Sequence, residues 1–113
     1  MITKKITKKD TSNFVRNQIS RSDIWAKKAL LKIYANQTDD EQNRGETVED
    51  NGIGFTGADA EILSSFSRQL TTKGWLSPKQ MSIVMKKMPK YHRQIIQLSD
   101  PIKLKRLVSR NLN

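Results

Sequence analysis

Gly52-Ile53-Gly54-Phe55-Thr56-Gly57 has the spacing G-x-G-x-x-G, the loop with which a dinucleotide fold wraps a pyrophosphate. That chemistry needs a hydrophobic strand before the glycines and a second strand bearing an acid about 20 residues on. Here the preceding residues are Glu46-Thr47-Val48-Glu49-Asp50, whose negative charge repels a phosphate. The expectation is a glycine turn without a cofactor, in which Ile53 and Phe55 plug the core and Thr56 caps the next helix. The acids at 39–50 have the density of a calcium loop but not its order. With Gly45 at the invariant glycine, Arg44 falls on a ligand position; with Gly52 there, Ala58 stands where the bidentate glutamate belongs. No metal site is expected. His92 is the single histidine, cysteine is absent, and no serine sits at a recognisable nucleophile elbow. No catalytic residue is therefore assigned, and an enzyme is not expected.

Charge is the feature left to explain. The chain of 113 residues has 21 lysines and arginines against 11 acids, a net +10. Eight of the acids fall in residues 39–61, where Arg44 is the only base, so that stretch carries −7 and the remainder +17. Residues 79–110 hold nine bases against Asp100 alone. A soluble helix normally mixes signs, whereas clustering of one sign is the electrostatic footprint of a phosphate-contacting surface. The candidate nucleic-acid-binding residues are Lys79, Lys86, Lys87, Lys90, Arg93, Lys103 and Arg106, with Arg21, Lys28 and Lys32 around Trp25 as a second group. Lys4, Lys5, Lys8 and Lys9 would assist from a basic arm. Trp25 has two readings, a stacking platform for an unpaired base and a cover for the core edge.

The elements that must position these residues are helical. Residues 1–10 read as a disordered arm, and Thr11 or Ser12 as the cap of a short helix carrying Phe14, Val15 and Ile19. Ser22 caps a helix over 23–37, where Ile24, Ala26, Leu30, Leu31, Ile33, Tyr34 and Ala35 cover more than half the circumference. Residues 38–57 read as a long acidic loop. A helix follows from 58 to 72, with Ile62, Leu63, Phe66 and Leu70 on one face and Gly74 as its stop. Ser77-Pro78-Lys79-Gln80 is a capping box with proline in the first turn. The helix it opens buries Met81, Val84, Met85 and Met88 and is interrupted at Pro89. Tyr91, Ile95 and Leu98 continue the stripe, and Asp100-Pro101 opens a last helix with Ile102, Leu104, Leu107 and Val108 inward. The fold class is all-α, a bundle of five or six short helices in a single domain over 11–113. The pair 58–72 and 78–88 has a helix-turn-helix outline, but Met81 and Val84 are poor base readers, so sequence preference should be weak.

The ordered run from Trp25 to Leu98 includes Ala29-Leu30-Leu31-Lys32-Ile33-Tyr34, Gln37-Thr38-Asp39-Asp40-Glu41-Gln42 and Asn51-Gly52-Ile53-Gly54-Phe55-Thr56-Gly57-Ala58-Asp59-Ala60. Leu76-Ser77-Pro78-Lys79-Gln80 follows, with Lys90-Tyr91 and Gln94 beyond it. This run resembles a family of small, largely uncharacterised bacterial and phage proteins. Its leucine-serine-proline-lysine-glutamine helix is similar to segments within phage helicases and other nucleic-acid-processing proteins. The resemblance implies a phage or mobile-element protein near DNA transactions, and it transfers no catalytic residue. The expected partner is nucleic acid, DNA ahead of RNA, bound without catalysis. The alternative is a protein–protein adaptor or inhibitor that docks on a host enzyme through the acidic loop or apolar helix edges. No run approaches the length of a membrane span, no apolar signal core follows the basic start, and the lack of cysteine suits the cytoplasm.

Overall fold

The computed structural model describes residues 5–44 and 53–112, the side chains of 40–44 excepted. Its regular structure is six α-helices and one 3-10 turn, with no strand among the described residues. They are α1 (Lys8–Arg21), α2 (Asp23–Arg44), α3 (Gly57–Lys73), α4 (Pro78–Lys87), the 3-10 turn Met88–Tyr91, α5 (His92–Leu98) and α6 (Pro101–Leu112). The chain is an all-α bundle.

Most helix ends follow from local chemistry. Ser22 caps α2, its Oγ accepting from the Trp25 amide at 3.3 Å. Gly74, at φ +81°, ends α3 in the left-handed conformation that glycine reaches without steric cost. Ser77 and Gln80 form the reciprocal capping box of α4. Pro89 supplies no amide hydrogen, and the chain tightens there into the 3-10 turn before α5 resumes. Asp100 Oδ1 accepts from the amides of Ile102 and Lys103 to start α6.

Two boundaries differ from expectation. Helix α1 starts at Lys8, inside the span read as a disordered arm, because Thr7 and Asp10 form a capping box. Residues 1–4, Lys4 among them, lie outside the described residues. Helix α2 continues past Gln37 to Arg44, so Asp39, Asp40 and Glu41 are helical and the acidic loop is shorter than 38–57. No glycine or proline stands between Asp23 and Gly45, and Thr38 Oγ1 donates to the Tyr34 carbonyl at 2.9 Å. The apolar period ends at Tyr34 although the backbone ladder does not. The rest of the loop, 45–52, lies outside the described residues.

Helix α2 packs against α1, α3, α4 and α5, and it is the centre of the bundle. Its buried face is Ala26, Ala29, Leu30 and Ile33, joined by Val15 and Ile19 of α1, Leu63 of α3, Val84 of α4, Met88 of the turn and Val108 of α6. The wide apolar arc read from the sequence is trimmed at its edges. Leu31 is half-buried and Ile24 is 66% exposed. Helix α6, which packs mainly on α1, buries Leu104 and Val108 but leaves Ile102 and Leu107 exposed. The two buried residues of α6 are one turn apart, at i and i+4 on a single face. Among the described residues no helix is long and apolar enough to cross a membrane.

Leu30→Ala is expected to cost about 2–5 kcal/mol, the range for emptying a closed core site, and Leu31→Ala less than half of that. Urea denaturation of the two variants measures this. Equal losses would mean that α2 is rotated from the orientation described.

Candidate nucleic-acid interface

The electrostatics of this surface begin with an internal charge. Asp59 is the third residue of α3, in the first turn, where the helix dipole favours an anion. Its carboxylate is 1% exposed and does not close a capping box on Thr56. It crosses to the next helical segment instead. Oδ1 accepts from Lys87 Nζ at 3.1 Å, and Oδ2 accepts from Lys90 Nζ at 2.5 Å and from the Tyr91 hydroxyl at 2.7 Å. Burial alone would raise the carboxyl pKa, but the hydrogen bonds from Lys90, Tyr91 and Lys87 outweigh it and hold it at about 2, against an ordinary 3.8. Burial and the neighbouring carboxylate push the Tyr91 phenol above its usual value.

The same cluster fixes the segment before α3. Tyr91 Oη accepts from the Thr56 amide at 3.0 Å, and the Phe55 ring stands edge-on to the Tyr91 ring at 5.7 Å. Gln37 Oε1 accepts from the Phe55 amide at 2.8 Å. Gln94 grips both polar groups of Gly54, accepting from its amide at 2.8 Å and donating to its carbonyl at 2.9 Å. Gly54 is buried at φ +84°, and a Cβ there would lie 2.5 Å from Gln37 Cβ. Phe55 is buried and Ile53 half-buried, as a plugged glycine turn requires. Thr56 occupies the N-cap position of α3, but its hydroxyl makes no cap hydrogen bond and lies 3.3 Å from Tyr91 Oη. Thr56 therefore caps α3 as expected by position, through its carbonyl and not through its side chain.

This internal arrangement sorts the expected cations. Lys87 and Lys90, 37% and 52% exposed, have their ammonium groups on Asp59 and are not free phosphate contacts. Lys79 and Lys86 are exposed, about 20° apart on the face of α4 opposite Met81, Val84 and Met88. Lys103 and Arg106 share the outer face of α6 with Arg110, all within about 60°. Lys28 and Lys32 are exposed on α2, and Arg21 is exposed in the last turn of α1. Trp25 beside them is half-buried, edge-on to Phe14 at 5.9 Å, which makes it a cover for the core. His92 is half-buried, with Nδ1 3.1 Å from the Pro89 carbonyl.

Arg93 has the most developed surroundings. It lines a groove of about 870 Å³ where the start of α1 meets α5 and α6, together with Lys8, Lys9 and Lys105. Ile6, Ile96, Pro101 and Leu104 also line it, and no acid does. Asp10, one residue from Lys9, accepts from the Thr7 amide at 3.0 Å. None of the four cations is in an ion pair among the described residues. Lys105 is absent from the set expected from the sequence, and Lys8 and Lys9 belong to α1 rather than to a disordered arm. The sequence does carry signals that locate them: Thr7-Lys8-Lys9-Asp10 is a capping-box pattern, and Leu104 and Val108 set Lys105 on the flank of α6.

A carboxyl held at about 2 adds stability that is complete above pH 4 and disappears as the pH falls from 4 towards 2. Asp59→Asn is expected to lose on the order of 2 kcal/mol at pH 7, and most of the gap to the wild type should be gone as the pH falls through 2. Denaturation across this range measures it; a gap independent of pH would remove Asp59 from the ion cluster. Neither the family models, the curated proteins nor the solved structures compared with this chain match it.

Proposed function

We propose that this chain is a non-catalytic nucleic-acid-binding accessory protein that grips the phosphate backbone with weak sequence preference, DNA ahead of RNA. The observation that carries this reading is the groove lined by Lys8, Lys9, Arg93 and Lys105. It gathers four cations from three helices around an apolar floor with no acid in its lining. Such a site attracts a polyanion through the release of condensed counterions, and side-chain ammonium and guanidinium groups read phosphates without reading bases. The outer faces of α4 and α6, with Lys79, Lys86, Lys103 and Arg106, extend the positive surface. A phage or mobile-element setting and the host cytoplasm belong to the same proposal, following the family resemblance.

Helix-turn-helix readout gains no support from the packing, since α4 lies mainly against α1 and α2. The adaptor reading has one observation in its favour: Ile24 and Ile102 are each about two-thirds exposed, as apolar docking edges would be. Salt separates the two readings. Phosphate binding weakens steeply as salt rises, and an apolar interface does not.

The test is fluorescence anisotropy of a labelled DNA duplex titrated at several salt concentrations. Arg93→Ala with Lys105→Ala should lower the slope of log K against log salt by about 2, near 0.9 for each phosphate that is no longer neutralised. The fall in affinity should be alike for unrelated sequences. A control removing the same charge, Arg16→Ala with Arg68→Ala, should leave the slope unchanged. Equal slopes for both variants would sink the groove as the binding site.

A further inference from the structure

Trp75 lies in the turn between α3 and α4 and is 55% exposed, although its neighbour Leu76 is buried. The turn that presents it is fixed on both sides. The Gly74 amide closes α3 on the Leu70 carbonyl at 2.9 Å, and the Trp75 carbonyl accepts from Gln69 Nε2 at 3.2 Å. Gln69 and Gln80 pair amide to amide at 2.9 and 2.8 Å, and Gln80 also accepts from the Ser77 amide at 2.8 Å. The backbone that carries this indole is thus held by hydrogen bonds, so little main-chain freedom is lost when the exposed ring is covered.

Charge identifies what would cover it. Lys73 and Lys79 stand on either side of Trp75 in the sequence, both exposed and neither in an ion pair among the described residues. From Ile62 to Ser99 the sequence has seven bases and no acid. An exposed aromatic ring with unpaired cations two residues before and four residues after it in the sequence suits a nucleotide, whose base would take the ring and whose phosphates the ammonium groups. A base inside a duplex has both faces occupied by neighbours and cannot take that place.

We propose that Trp75 is a stacking platform for an unpaired base, so that the preferred partner is single-stranded nucleic acid. This rests on the phosphate-binding reading and narrows it. The sequence supplies a built-in control, because the only other tryptophan, Trp25, is half-buried against Phe14.

The experiment is titration of the full chain with a thymidine homopolymer strand and with a duplex, read by tryptophan fluorescence and by anisotropy. The single strand should quench the wild-type emission and the duplex should leave it nearly unchanged. Trp75→Phe should abolish most of the quenching while keeping affinity within about threefold, since phenylalanine also stacks. Trp75→Ala should bind the single strand roughly 5- to 150-fold more weakly, with the salt slope retained. Because the side chain is exposed, the melting temperature of these variants should match the wild type. Single-strand binding that neither quenches emission nor weakens in Trp75→Ala would overturn the stacking platform while phosphate binding stands. Failure of both strand and duplex to bind at low salt would overturn phosphate binding itself.

Discussion

One buried carboxylate ties the start of α3 to the end of α4 and the turn after it. Asp59 begins α3, and its partners Lys87, Lys90 and Tyr91 lie about thirty residues on, at the end of α4 and in the turn after it. Removing a charge from water is costly, and a buried ion pair is poor grounds by itself for claiming stability. What the cluster supplies is register. A 3-10 turn stacks residues three apart, so the tightening at Pro89 brings Lys87 and Lys90 over the same carboxylate. Tyr91 then relays the contact to Thr56, and through Gln37 and Gln94 the whole 54–56 backbone is held. Among the described residues no buried side-chain polar atom lacks a partner, which is the condition for such a network to specify one arrangement.

The same cluster changes how the charge of the chain is to be counted. Asp59 belongs by position to the acidic stretch, yet by contact it belongs to the basic run. Lys87 and Lys90 belong by position to the basic run, yet their ammonium groups face inward on that acid. Charge per segment therefore overstates both the acidity available in the loop and the positive surface available on α4. The cations left for a polyanion are those without an internal acid. They gather where three helices meet, at Lys8, Lys9, Arg93 and Lys105, and along the outer faces of α4 and α6.

Local chemistry is legible in the sequence wherever a few adjacent residues decide it. The caps at Ser22, Ser77 and Asp100, the stop at Gly74 and the interruption at Pro89 are all short-range, and the methionine and valine stripe of α4 follows from spacing alone. The departures from expectation share two causes. Counting apolar residues around α2 and α6 assumes a neighbour on every side, which places Ile24, Ile102 and Leu107 inward although each is exposed. The end of apolar periodicity is not the end of α2, since nothing after Gln37 breaks a helix before Gly45. The Asp59 cluster is not legible because its partners are distant in sequence. Gln37 and Gln94 read locally as surface amides, and only the fold shows that each one holds a backbone group of the 54–56 segment.

That segment also explains why a phosphate-loop spacing occurs without a phosphate loop. In an anion-binding glycine turn, successive amides point at the ligand and need no protein acceptor. Here the amides of Gly54, Phe55 and Thr56 point at Gln94, Gln37 and Tyr91, whose oxygens stand where the oxygens of an anion would. Glycine at 54 is demanded by the close approach of Gln37 and by a positive φ, both of which are packing constraints. An anion entering this turn would have to displace three hydrogen bonds. These three amides are thus closed to phosphate, and in the proposed function anion contact falls to side chains on exposed helix faces. Lysine and arginine read the charge of a nucleic-acid backbone and not its bases, which is why the proposed binding carries a salt-dependence test and a weak sequence preference.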